Sequence, residues 1–349
     1  MEKQRILYLD VLRVAAIFIV VMLHVASYSY TGDISSNVWQ NSLFWDSMSR
    51  WGVPVFVMIS GALFLQPTKI ISIRSVYTKY IKRILILLIS WSFIYSAHKI
   101  ITGQIDFGLT KFLTGAIVGA YHLWFLYMII GLYAITPFLK KMLDNKVYVR
   151  YFIALSLFFS FLIPTMSHLA DSLNLLGNDR LKVYLDMISD RLHFDFTLEY
   201  VAYYVLGYYL STINLSRKYR YCIYFMGLIG FAFTFGYSSY ISIKLNKPWD
   251  MFDYMSFNVF FESISMFILI QNLFNKKNKF SDLMSKLSKY TLGIYLIHPI
   301  ILDIVFDWSE IMVHKYYLAV PLLAICIFCM SFISVWILSK IPIVRKIIY

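Results

Sequence analysis

Long apolar runs follow one another along this chain with few polar interruptions. Stretches of about 20 such residues fall near 7–29, 40–65, 80–101, 122–140, 148–169, 195–212, 220–241, 251–273, 288–306 and 316–338. A helix of about 20 residues crosses a hydrocarbon layer about 30 Å thick. Only helices and closed barrels satisfy their backbone groups there. The pattern predicts an all-α, polytopic integral membrane protein of about ten transmembrane helices, with residues 1–349 forming one membrane-embedded domain. Between 171 and 194, Leu181, Tyr184, Leu185 and Ile188 recur at helical spacing among aspartates, which predicts a helix lying in the membrane interface. The stretch 105–121 is a second candidate of that kind.

The first run follows Lys3 and Arg5 and ends at Ala26-Ser27, an outline shared with signal peptides. Asp10, Arg13 and His24 interrupt it, and a signal core carries no such groups. It is therefore expected to be a permanent first helix.

Composition agrees with the pattern. Hydrophobic residues make up 60% of the chain and charged residues 15%, against roughly 45–50% and 25% in soluble domains. The net charge of +13 would suit nucleic acid in a soluble protein, but its placement argues for orientation instead. Of the 32 Lys and Arg residues, 22 fall in the N-terminus, the even-numbered loops and the C-terminus. Eight fall in the odd loops, and Arg13 and Arg50 lie inside helices. That bias puts both termini in the cytoplasm and leaves no call for nucleic acid. Cys222, Cys326 and Cys329 lack nearby histidines and are expected to be buried small hydrophobes, so no metal site is expected.

Ionisable residues at membrane depth cost several kcal/mol and are functional candidates by default. The first helix has three. Eleven residues at about 100° each bring His24 within about 20° of Arg13 and about 16 Å further along the axis. Asp10 lies three residues before Arg13 on nearly the same face. An imidazole is the side chain suited to moving a proton near neutral pH. Asp10 and Arg13 taken alone read equally well as a simple ion pair. Asp46 and Arg50 lie one turn apart and can neutralise each other. His122, Trp124, Glu199, Glu262, His298 and Asp303 are further polar or amphipathic groups in the spans. Trp124 also fits an interface anchor. His298 precedes Pro299, so it also fits repair of the backbone carbonyl that Pro299 frees at Tyr295. Ser60-Gly61 suits either close helix packing or the passage of a narrow ligand. Phosphate-cradling loops, a serine nucleophile elbow and metal-ligand spacing are absent from the sequence.

Four segments carry a resemblance. Tyr8-Leu-Asp-Val-Leu-Arg13, followed after ten residues by His24, is similar to the Arg-x10-His signature of the acyltransferase-3 family of membrane enzymes. Phe56-Val-Met-Ile-Ser60-Gly61, His122-Leu-Trp124-Phe-Leu continuing to Tyr133 and Pro137, and Tyr290-Thr-Leu-Gly293-Ile-Tyr295-Leu-Ile-His298-Pro299 resemble its later motifs, in order. The chain most resembles the stand-alone surface-polysaccharide O-acetyltransferase branch, of the kind that modifies the enterobacterial common antigen. An appended extracellular esterase-like domain is not expected. One departure is that the family's Arg-x-x-Arg pair is here Lys79-Tyr80-Ile81-Lys82-Arg83. Lysines hold phosphates as point charges with less geometric definition than arginines do.

The resemblance implies transfer of an acyl group from acetyl-CoA, or another short acyl-CoA, to a hydroxyl of a surface or lipid-linked glycan in a bacterial-type cell membrane. His24, with Arg13 and Asp10, would be catalytic. Arg13, Ser60, Lys79, Lys82 and Arg83 would hold the donor. His122, Trp124, Glu199, His298 and Asp303 would face the acceptor. A pantetheine arm roughly 15–20 Å long would match the ~16 Å from Arg13 to His24. An acyl-His24 intermediate, a homodimer and a polysaccharide-synthesis complex stay open. Two rivals remain at this stage. One is a glycan transporter using His24, Glu262 and His298 as a proton relay, and the other is a non-catalytic subunit of such a complex.

Overall fold

The computed structural model describes residues 6–28, 34, 36–106, 108–175, 195–313 and 318–348, and among these there is no β-strand. The principal helices are α1 Leu7–Tyr28, α2 Asn37–Ser49, α3 Gly52–Phe64, α4 Lys82–Ile101, α5 Leu109–Val118, α6 Trp124–Leu143, α7 Lys146–Ser156 and α8 Ile163–Leu175. They continue as α9 Asp195–Thr212, α10 Arg217–Leu245, α11 Phe257–Leu273, α12 Lys279–Leu287, α13 Thr291–Val313 and α14 Ala319–Leu338. Every apolar run predicted above has a helix beneath it. Among the described residues, seven helical segments are long and apolar enough to cross a membrane. The second predicted interfacial stretch contains α5. The first lies, beyond residue 175, outside the described residues.

The helix α1 is central. In its most apolar window 78% of residues are buried, against 22% for α10. It packs on α2, α3, α11, α12, α13 and α14, which explains why its polar stripe faces protein and not lipid. Another close approach is between α3 and α9. A Cβ on Gly61 would lie 1.7 Å from the Tyr204 carbonyl oxygen, and one on Gly207 would lie 2.1 Å from that of Met58. The two backbones touch, as small residues permit in membranes. Gly61 therefore takes the packing reading, while its neighbour Ser60 faces a cavity.

Prolines explain most departures from unbroken spans. The run 40–65 breaks between Ser49 and Gly52, because Pro54 has no N–H to give the Arg50 carbonyl. Pro164 likewise follows a π turn, Leu157–Leu162, that separates α7 from α8. The predicted run 251–273 begins its helix only at Phe257. Its first residues instead belong to a connecting segment that brings Asp250 and Tyr254 near Arg50.

The periphery is apolar. Phe225, Leu228 and Ile229 on α10, Ile86 and Ile89 on α4, and Leu322, Ile325 and Ile333 on α14 are all exposed. A belt this large is what a bilayer covers. The cysteines correct an expectation: Cys222, Cys326 and Cys329 are exposed, on this same outer surface. A small polarizable thiol is as acceptable to hydrocarbon as to a protein core, and apolar context in the sequence cannot distinguish the two.

Candidate active site

The polar stripe of α1 opens into a cavity of about 440 Å³, which both Arg13 and His24 line. That is ample for a narrow organic ligand. Between the two residues its wall is apolar and comes from several helices: Val20 and Leu23 of α1, Val53 and Phe56 of α3, Phe125 and Ile129 of α6.

One end is basic and aromatic. Arg13, Arg83 and Lys289 line it, together with Phe64, Tyr80 and Tyr133. Phe64 stacks on Tyr133 with centroids 4.4 Å apart, and Tyr80 meets Phe64 edge-on at 4.9 Å. Asp10 sits behind this end. It accepts from Ser285 (2.8 Å), Ser288 (3.0 Å) and Arg13 (3.4 Å), and it does not line the cavity. Its carboxylate holds the Arg13 guanidinium in place and ties α1 to the α12–α13 connection.

The other end gathers histidines. His24 stacks on His298 (centroids 5.2 Å, planes 29° apart) and meets Tyr121 edge-on, with its Nδ1 3.5 Å from the Tyr121 hydroxyl. His298 is fully buried beneath it. Its Nδ1 donates to the Ile294 carbonyl at 3.1 Å, one position before the carbonyl that Pro299 frees. That bond fixes the proton on Nδ1 in the neutral ring and leaves Nε2 as the lone-pair nitrogen. His122 lines the cavity opposite, on a turn that α6 follows. Gly119, at φ +74° and ψ 179°, makes that turn, a conformation only glycine adopts readily. The His122 carbonyl accepts from the Tyr295 hydroxyl.

Beyond the histidines lies an aromatic ledge. Trp124 and Tyr254 both line the cavity, nearly parallel with centroids 6.2 Å apart, and Tyr200 packs 5.7 Å from Trp124. Tyr254 is bonded to Arg50, whose guanidinium is paired with Asp46 and lies 3.7 Å from the centre of the Phe252 ring. The buried pair therefore does more than neutralise itself: it anchors a ring that lines the cavity. In the same segment, burial pushes the Asp250 carboxyl up against the pull of Arg50. At Asp253 burial is outweighed by hydrogen bonds from His168 and the Met255 N–H, which hold the carboxyl below its ordinary value.

Of the residues singled out in the sequence, Arg13, His24, Ser60, Arg83, His122 and Trp124 meet around one cavity, with His298 stacked beneath His24. Others do not. Lys79 and Lys82 are exposed and off the lining, because the helix leading into α4 turns Tyr80 and Arg83 inward instead. Glu199 is exposed at a kink in α9 (φ −31°, ψ −108°). Glu262 is buried between α10 and α11, accepting from Thr234 at 2.8 Å beside Asn258. Asp303 pairs with His98 of α4 at 3.2 Å. Lys289, Tyr80, Tyr133, Tyr254 and Tyr295 line the cavity and were not candidates. No spacing rule flags them, although Tyr80, Tyr133 and Tyr295 stand within or beside the quoted motifs.

The acyltransferase domain model of the acyltransferase-3 family matches residues 6–340. No curated protein and no solved structure matches the chain significantly. A match over nearly the whole length, on a helical protein with seven membrane-crossing candidates, has one consequence: this chain belongs to the acyltransferase-3 family and is a membrane acyltransferase.

Proposed function

We propose that the protein is an O-acyltransferase of a bacterial-type cell membrane. It moves an acetyl or other short acyl group from acyl-CoA to a hydroxyl of a surface or lipid-linked glycan, with His24 as general base. The observation that carries this reading is that one cavity joins the basic, aromatic end at Arg13, Arg83 and Lys289 to the imidazole end at His24. A donor with an anionic nucleotide and a long thin arm ending in a thioester has that same order of parts.

The protein crosses the membrane ten times with both termini in the cytoplasm, as the Lys and Arg bias supports. The CoA phosphates meet the basic end, and the ring collar of Phe64, Tyr80 and Tyr133 surrounds the start of the arm. The ledge of Trp124 and Tyr254 supports an acceptor that has an apolar ring face, as pyranoses do.

His24 removes the proton from the acceptor hydroxyl as its oxygen bonds to the thioester carbonyl carbon, and the carbonyl electron pair moves onto oxygen. When the tetrahedral adduct collapses, the C=O re-forms, the C–S bond breaks, and the CoA sulfur leaves with the proton held by His24. Arg13, braced by Asp10, holds the donor about 16 Å away along α1.

The test is release of free CoA thiol by purified protein in nanodiscs, given acetyl-CoA with and without a panel of glycosides. Thiol release with O-acetylated glycoside as product is the expected result. Acetyl-CoA binding without thiol release from any pairing would overturn the reading.

A further inference from the structure

We infer that His122 is a second catalytic residue, the hydrogen-bond donor that holds the thioester carbonyl oxygen as negative charge develops on it. The inference rests on the acyl-transfer reading above and adds a group that this reading leaves without an assignment: a donor for the oxyanion.

The argument begins with two nitrogens. His122 is 2% exposed, lines the cavity, and neither its Nδ1 nor its Nε2 has a protein partner. An imidazole in any protonation state carries at least one N–H. A buried donor without a partner costs about 1–3 kcal/mol. A histidine kept only for packing would find a carbonyl, as His298 finds that of Ile294 at 3.1 Å.

The ring is also held firmly. Tyr95 meets it edge-on at 4.8 Å and Tyr295 at 5.5 Å, while the Tyr295 hydroxyl pins the backbone carbonyl of the same residue. A fixed, buried dipole stabilises developing charge without reorganising.

The location is that of the reaction. His24 and His122 flank the same two rings: Tyr121 at 5.3 and 5.4 Å, and His298 at 5.2 and 5.9 Å. A thioester that reaches His24 therefore lies beside His122. Several other donors near the cavity are committed or distant. Ser60 donates to the Phe56 carbonyl at 3.0 Å, Tyr295 to the His122 carbonyl, and Arg13, Arg83 and Lys289 lie at the far end. While His24 takes the acceptor's proton, it cannot also donate to the oxyanion. A second imidazole resolves that conflict, and the protons and electrons of the step remain those given above.

The test compares His122→Phe, which fills the space without a donor, with His122→Gln, which keeps an N–H. Both are made in the full chain in nanodiscs. The readouts are kcat and KM for acetyl-CoA, and the carbonyl stretch of bound [1-13C]acetyl-CoA by isotope-edited infrared spectroscopy. His122→Phe should lose about 10²–10³-fold in kcat, with the donor KM within about twofold of wild type and the downshift of the carbonyl stretch abolished. His122→Gln should retain most of the downshift and more of the rate. The infrared measurement needs only folded, donor-bound protein, so it holds even where turnover is too slow to follow. Wild-type kcat in His122→Phe, or an unchanged carbonyl stretch in that variant, overturns the assignment and leaves the acyl-transfer reading intact. A wild-type protein that binds acetyl-CoA and never releases thiol removes both.

Discussion

The two ends of the cavity are built on opposite principles. At the Arg13 end, the charges sit on long side chains near the surface: Arg13 is 34% exposed, and Arg83 and Lys289 are exposed. They come from α1, α4 and the turn before α13, and only Arg13 is braced through Asp10. At the His24 end the polar groups are short, half-buried or buried, and held by rings, and the nearby cation Arg50 is neutralised by Asp46. Exposed charges attract an anion over distance and tolerate imprecision. Buried imidazoles act only at contact, where a displacement of about 1 Å costs about a hundredfold. On the proposed mechanism, one end captures the donor and the other reacts.

The largest expected effect lies at the reacting end. His24→Ala should lose about 10²–10⁴-fold in kcat, or about 3–5 kcal/mol, while acetyl-CoA binding by calorimetry stays close to wild type. His24→Gln keeps hydrogen bonding without proton shuttling near neutral pH, so it should be as slow as the alanine variant. Near-normal turnover by His24→Gln would break the comparison, since that end would then be structural.

Next comes the buried pair. Arg50→Ala leaves Asp46 buried without its partner, a loss of about 3–5 kcal/mol, to be read as a lower unfolding midpoint in detergent. Replacing both members with apolar residues of similar volume should recover stability but release Tyr254, so the acceptor KM rises while the donor KM holds. If the double replacement leaves the acceptor KM unchanged, Arg50 serves folding alone.

The smallest effects belong to the capturing end. Arg83→Ala and Lys289→Ala should each raise the donor KM by about tenfold, about 1.4 kcal/mol, and more at low salt than at high. Lys82→Ala, one residue from Arg83 but off the lining, should leave it within about twofold at the same ionic strength. Equal effects at Lys82 and Arg83 would mean that the basic patch acts only as a diffuse field.

How much of this could be read from sequence follows from the range of each interaction. The α1 stripe was legible because Asp10, Arg13 and His24 are related by helix periodicity within fifteen residues. Membrane helices were legible because their pattern is dictated by the solvent. The proline breaks at Pro54 and Pro164 were readable in principle and were merged into longer runs. What stayed hidden was convergence. Lys289 reaches the Arg13 end, and Tyr254 the His24 end, only because of how α1, α3 and α13 pack. Lys79 and Lys82 looked equivalent to Arg83 because the rotation of a helix entrance about its own axis is set by its neighbours. His98, which pairs with Asp303 across 205 residues, carried no signal beyond being a histidine.

The contact between α3 and α9 has a consequence for engineering. Ser60 faces the cavity, and the very next residue, Gly61, presses its backbone on that of Tyr204. The wall there has no side chain behind it to trim and no slack to take up, so it acts as a fixed datum against which a ligand is measured. Attempts to admit a bulkier acyl chain should leave this face alone and carve the opposite one. There Phe125 and Ile129 project from α6, and truncation removes volume without parting two backbones.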